Sequence, residues 1–140
     1  MSLNILLLCN KPSDGSNANT IVDHIEAFEN YSEHTIWLYS NLGDFFFFFY
    51  LNKFDGIIIH YSLFVLSRRY LTRAAKKQLR DYKGLKTIFI QDEYRQINHM
   101  VDELAYLGID VLFTCFPESE FANIYSAKQL SQVSKHNNLT

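Results

Sequence analysis

Short runs of nearly unbroken apolar residues set the terms on which this chain folds. Leu3 to Cys9, Asp55 to His60, Thr87 to Ile90 and Ile109 to Thr114 are rich in Ile, Leu, Val and Phe. They are too short for ordinary helices and carry no regular polar side. That is the pattern of parallel strands covered on both faces. A further segment, His34 to Tyr39, alternates instead, with Ile36 and Leu38 on one side and Thr35, Trp37 and Tyr39 on the other. It reads as a strand with one face more open.

Helical spacing fills the intervals. Ile21, Val22, Ile25 and Phe28 predict a helix from near Asn19 to Tyr31, after a loop dense in turn and cap residues. Leu71, Ala74, Ala75, Leu79 and Tyr82 predict a second, with Gly84 placed as its C-cap. Ile97, Met100, Val101, Leu104 and Leu107 trace a third that Gly108 stops, and Pro117-Glu118 opens a last one through Phe121, Ile124 and Tyr125. Strand and helix in alternation imply right-handed crossovers, hence an α/β fold with a five-stranded parallel sheet and helices on both faces. The 140 residues fit one domain, spanning 1–126. After Ser126 the composition turns to Ser, Gln, Lys, Asn and His, so 127–140 is expected to be a polar tail or a truncated linker.

Composition excludes more than it selects. A net charge of −2 gives no general attraction to nucleic acid. Cys9 and Cys115 are too few for a disulfide framework, and reduced thiols point to a cytoplasmic setting. No apolar stretch reaches the roughly 18 residues of a membrane span. His24, His34, His60, His99 and His136 show no paired ligand spacing, so no metal is expected.

Chemistry gathers where strands must end, the edge at which open α/β sheets bind ligands. Gln91-Asp92-Glu93-Tyr94-Arg95 follows one strand abruptly, offering two carboxylates, a phenol and a guanidinium. Asp92 or Glu93 is a candidate general base, with Tyr94 and Arg95 as binding groups; helix capping by Asp92 is the plainer alternative. His60-Tyr61-Ser62 ends another strand, where His60 is a candidate proton carrier or a hydrogen-bonded structural histidine. The loop Asp14-Gly15-Ser16-Asn17 precedes a helix N-terminus, which favours an anion, although one glycine matches no dinucleotide or P-loop fingerprint. Glu118 lies beyond the last strand.

Two further features stay open. The basic series from Arg68 to Lys86 is either a solvated helix face or a peripheral contact with anionic lipid or a phosphate-bearing acceptor at the inner face of a membrane. Phe45 to Phe49 is either a core plug or a contact surface.

Taken together, Asn4-Ile-Leu-Leu-Leu-Cys-Asn-Lys11, Asp14-Gly-Ser-Asn-Ala-Asn-Thr20, Phe54-Asp-Gly-Ile-Ile-Ile-His-Tyr-Ser62, Gly84-Leu-Lys-Thr-Ile-Phe-Ile-Gln-Asp-Glu-Tyr-Arg95 and Leu107-Gly-Ile-Asp-Val-Leu-Phe-Thr114 resemble the N-terminal Rossmann-like domain of bacterial GT-B glycosyltransferases. The resemblance implies a single three-layer, Rossmann-like acceptor domain of an enzyme of polysaccharide biosynthesis that moves a sugar from a nucleotide-sugar to a glycan or lipid-linked hydroxyl. It implies Asp92, Glu93 and His60 on the catalytic side, and Asp14, Gly15, Ser16, Asn17, Tyr61, Tyr94, Arg95 and Glu118 in substrate binding. The nucleotide-sugar is expected mainly on a separate C-terminal donor domain, so this chain by itself is not expected to transfer sugar, and no cofactor is expected on it. A non-catalytic receiver-like or ligand-binding signalling module is the alternative, although a phospho-receiver needs acidic residues where Cys9-Asn10-Lys11 and His60 stand.

Overall fold

The computed structural model describes residues 1–13, 19–45, 50–91, 96–125 and 128–137. Its strands and helices follow in the order β1 (Asn4–Leu8), α1 (Asn19–Tyr31), β2 (Thr35–Tyr39), β3 (Gly56–Ile59), α2 (Arg73–Asp81), β4 (Leu85–Phe89), α3 (Ile97–Leu107), β5 (Val111–Thr114), α4 (Phe121–Ile124) and β6 (Ser134–Asn137). The strands form one sheet in the order β2-β1-β3-β4-β5-β6, and every neighbouring pair is parallel.

The sheet has six strands, not the five expected from the apolar runs. The sixth lies in the stretch that composition assigns to a polar tail. Ser134-Lys-His-Asn137 carries no apolar residue, because β6 is an edge strand whose side chains are exposed or half-buried. Its anchorage comes from the preceding turn, where Leu130 and Val133 are buried and Lys135 Nζ donates to the carbonyls of both.

Chain direction decides which face each helix covers. From β1 the chain steps to β2 on one side, whereas β3, β4, β5 and β6 follow one another on the other side. With right-handed crossovers, α1 must then lie on the opposite face from α2 and α3. Burial agrees. Ile25 of α1 packs with Leu7 and Cys9, bordered by Ile21, Phe28, Ile36 and Ile58. On the other face Leu6, Leu8, Ile57, Ile59, Ile88 and Leu112 share the larger core with Ala75 and Leu79 of α2 and Met100, Val101, Leu104 and Leu107 of α3.

Two glycines repay separate attention. Gly108 ends α3 in the left-handed region, at φ 68°, as the sequence predicts. Gly84 is not the cap of α2: that helix ends at Asp81 and its cap position is Tyr82. Gly84 is needed because the ring and hydroxyl of the buried Tyr82 occupy the place of a β-carbon there. The Tyr82 hydroxyl donates to the Phe54 carbonyl, 2.6 Å away, and so ties the exit of α2 to the entry of β3.

Lys86 likewise leaves the basic face to which its sequence position assigns it. It is buried on β4, its Nζ donating to the carbonyls of Leu79 and Arg80 at 3.1 and 3.4 Å. There it adds a donor to carbonyls of the last turn of α2, of which that of Leu79 also accepts from the cap residue Tyr82 N–H at 3.3 Å. Burial lowers its pKa, with Asp110 opposing the shift. Among the described residues, no helix is long and apolar enough to cross a membrane.

Candidate functional site

The order of the strands creates a switch point between β1 and β3, where successive connections leave in opposite directions. In open α/β sheets ligands bind outside the carboxyl ends of the strands at such a point. Cys9-Asn10-Lys11 leaves β1 and His60-Tyr61-Ser62 leaves β3 at this point, with Asn10 N–H donating to Ser62 Oγ at 2.9 Å. His60 N–H still pairs with Leu8 carbonyl at 2.8 Å, so the imidazole is held by a continuing ladder.

A hydrogen-bonded chain runs from this stitch into α1. Ser62 N–H donates to His60 Nδ1 at 3.0 Å, and Ser62 Oγ lies 2.8 Å from the same nitrogen. A nitrogen that accepts from a backbone N–H cannot hold a proton of its own, so the proton of neutral His60 is on Nε2. That nitrogen is 2.8 Å from His24 Nδ1. His24 therefore accepts there, and its own proton is on Nε2.

Burial keeps the pair uncharged. His60 is fully buried, and desolvation followed by the neighbouring His24 lowers its pKa from 6.5 to about 3. His24, half-buried, is shifted down by desolvation as well. The Tyr61 ring lies over His60 with centroids 4.1 Å apart. Burial raises the Tyr61 pKa, and Cys115 adds to the shift.

The two thiols are poorly placed for nucleophilic work. Burial raises the Cys9 pKa against the lowering effects of the Ser40 hydrogen bond and Lys11. Cys115 Sγ, at the end of β5, donates to Ile90 carbonyl at 3.5 Å. Among the described residues no three His, Cys, Asp or Glu side chains group to hold a metal ion.

Of the residues singled out from sequence, the structure brings His60 and Tyr61 together at the switch point and leaves Glu118 exposed beyond β5. Asp14, Gly15, Ser16, Asn17, Asp92, Glu93, Tyr94 and Arg95 lie outside the described residues, as do Phe46 to Phe49 of the Phe run. Phe45 is buried in the larger core against Tyr39. His24 is the residue that sequence reasoning missed. Its signal was position: with Ile21, Ile25 and Phe28 it completes the stripe of α1 that faces the sheet.

The basic series divides among several roles. Arg68, Arg73 and Lys76 line a pocket of about 740 Å³ between α2 and α3, with Gln96, His99 and Glu103 opposite. Lys76 spans that groove to Glu103 at 3.0 Å. Lys77 pairs with Asp81, and the Arg80 guanidinium lies over the Tyr106 ring, 4.9 Å from its centroid.

Comparison with protein-family models, with curated proteins and with solved structures yields no match.

Proposed function

We propose that this chain is a Rossmann-like acceptor-binding domain of a sugar-transfer enzyme, working with a separate donor domain that holds the nucleotide-sugar. The observation that carries the reading is the meeting of the β1 and β3 loops at the switch point, around an uncharged His60 and Tyr61. The strand order is compatible with a Rossmann-like fold without selecting it. Removing the outermost strand from the Rossmann order 3-2-1-4-5-6 leaves the neighbours seen in β2-β1-β3-β4-β5.

In this reading the acceptor sits along the carboxyl edge, and the pocket lined by Arg68, Arg73 and Lys76 together with Asp102 and Glu103 offers charges of both signs to a polar acceptor. The acceptor hydroxyl attacks the anomeric carbon, the bond to the nucleoside diphosphate breaks, and a base takes the hydroxyl proton. Asp92 or Glu93 is assigned as that base. His60 acts indirectly, since both its ring nitrogens are engaged and its side chain is buried.

Ligand-observed NMR on the chain with neutral and anionic glycans, and separately with nucleotide-sugars, tests the assignment. Glycan binding without nucleotide-sugar binding is expected. Binding of nucleotide-sugars alone contradicts it. With a donor domain supplied, loss of transfer in an Asp92→Ala, Glu93→Ala double variant is expected, and undiminished transfer removes those residues as bases.

A second reading, a non-catalytic ligand-binding or signalling module, is favoured by one observation. The order β2-β1-β3-β4-β5 is also that of flavodoxin-like and receiver domains. His60 occupies the end of β3, where a receiver carries its phospho-accepting aspartate. A small phosphodonor should therefore leave the chain unmodified.

A further inference from the structure

Another cavity has His24 in its wall. It occupies about 380 Å³ between α1 and the sheet and is lined by His24, Ala27, Phe28, Tyr31, Ser32 and Phe89. That volume falls within the range of small-molecule sites. No residue of the lining carries a fixed charge.

The walls are aromatic and mutually braced. His24, Phe28 and Phe89 meet edge to face, with centroids 5.2 Å (His24 to Phe28), 5.3 Å (His24 to Phe89) and 5.5 Å (Phe28 to Phe89) apart. Phe89 is further backed by Phe113, stacked at 4.5 Å with planes 6° apart, and Phe113 by His136 at 5.2 Å. These rings extend across β4, β5 and β6 on the face that α1 occupies, so the cavity has a rigid floor. Tyr31, largely exposed, stands at its rim.

Besides the hydroxyls of Tyr31 and Ser32, the lining carries one polar group whose direction is fixed by a hydrogen-bonded chain, the His24 imidazole. His24 Nδ1 accepts from His60, so the only proton of the neutral ring is on Nε2. The chain through His60 to Ser62 and Asn10 N–H fixes that choice, and a histidine held in one tautomer is an oriented donor. An apolar pocket with one oriented donor selects a ligand by the acceptor it carries, because a ligand without one leaves the donor unpaired.

We infer that the cavity between α1 and β4 is a binding site for a small, uncharged aromatic ring bearing a hydrogen-bond acceptor, packed against the Phe28 and Phe89 rings from the open side with its acceptor on His24 Nε2–H. The ring takes edge-to-face or offset contact with the phenyl walls. His24 is the specificity determinant; His60 and Ser62 are positioning residues that act through it. The site shares the His60–Ser62–Asn10 hydrogen-bonded chain with the carboxyl-edge loops but not the sugar-transfer reading itself, since it requires neither the carboxylates assigned as base nor the basic pocket.

The test compares acetophenone with ethylbenzene, which has the same ring and nearly the same size but no acceptor. Titrations of the intact chain are followed by NMR of the His24 and Phe89 signals. Acetophenone is expected to bind about fivefold to tenfold more tightly, the ratio set by one hydrogen bond, and to shift the His24 Nε2–H resonance. His24→Phe, which keeps an aromatic wall, should bring the two affinities together. Equal affinities in the wild-type chain overturn the inference, as does an unmoved Nε2–H signal at saturation. Absence of binding by either probe also overturns it, including where sedimentation shows the cavity covered by a second copy. If His24→Phe does not fold, the wild-type comparison and the Nε2–H shift decide by themselves.

Discussion

His60 Nε2 lies 2.8 Å from His24 Nδ1, joining the carboxyl end of β3 to the sheet-facing stripe of α1 by a hydrogen bond between two neutral imidazoles. An ion pair between the same elements would carry the desolvation penalty of two charges. A neutral pair avoids that penalty, but only while neither ring is protonated.

Stability should therefore fall with acid in a defined window. The unfolded imidazole of His60 takes up a proton as pH drops below 6.5, whereas the folded one resists until about 3. Between those values the unfolded state binds more protons, so unfolding becomes steadily easier as pH falls. The full effect is on the order of 5 kcal/mol. Urea denaturation from pH 7.5 to 4 should show a steeper loss in the wild-type chain than in His60→Gln. Equal slopes would mean that His60 titrates normally in the folded state.

Ser62→Ala removes the hydroxyl that accepts from Asn10 N–H and approaches His60 Nδ1. A loss of about 1–2 kcal/mol is expected. Ser62→Thr, which keeps the oxygen, should lose less. Thermal melts of the two variants make the comparison.

Gly108→Ala places a β-carbon on a residue at φ 68° and 3.0 Å from Lys86 Nζ. The backbone strain alone is worth about 1–2 kcal/mol. Gly108→Asn should be milder, because asparagine tolerates the left-handed region better. Chemical denaturation that ranks the variants in the opposite order would disprove the account of this cap.

The turn before β6 offers a test of the sixth strand. Leu130 is fully buried in the larger core. Leu130→Ala should therefore destabilise the whole domain by about 2–5 kcal/mol, in one cooperative transition. A change confined to local exchange near residues 128–137, with no shift of the global midpoint, would mean that this segment is dispensable.

The sequence announced most of the fold because buried parallel strands and amphipathic helices write their burial into hydrophobic pattern. Leu3 to Cys9 and Ile97 to Leu107 are plain cases, and α1 runs from Asn19 to Tyr31 as its spacing predicts. β6 was illegible for the converse reason: an edge strand held by backbone pairing and by Lys135 needs no apolar side chains. Gly84 was misread because its constraint comes from the Tyr82 ring packed over it, which no local helix-ending rule contains. His60 and Tyr61 were legible from their place at a strand end. Their partner His24 was hidden in the stripe of a helix, where burial and a donor 36 residues away give it meaning. Lys86 reads as one more charge on a basic face until its amine is found against the last turn of α2.

The claim on which the site rests is the protonation pattern of Ser62, His60 and His24. Long-range ¹H–¹⁵N correlation of the two imidazoles at pH 7 reads that pattern directly. Both rings should be neutral with the proton on Nε2, and His60 should remain so down to about pH 4, since its pKa is lowered to about 3. A proton on His60 Nδ1, or an imidazolium at either position at pH 7, would contradict the account.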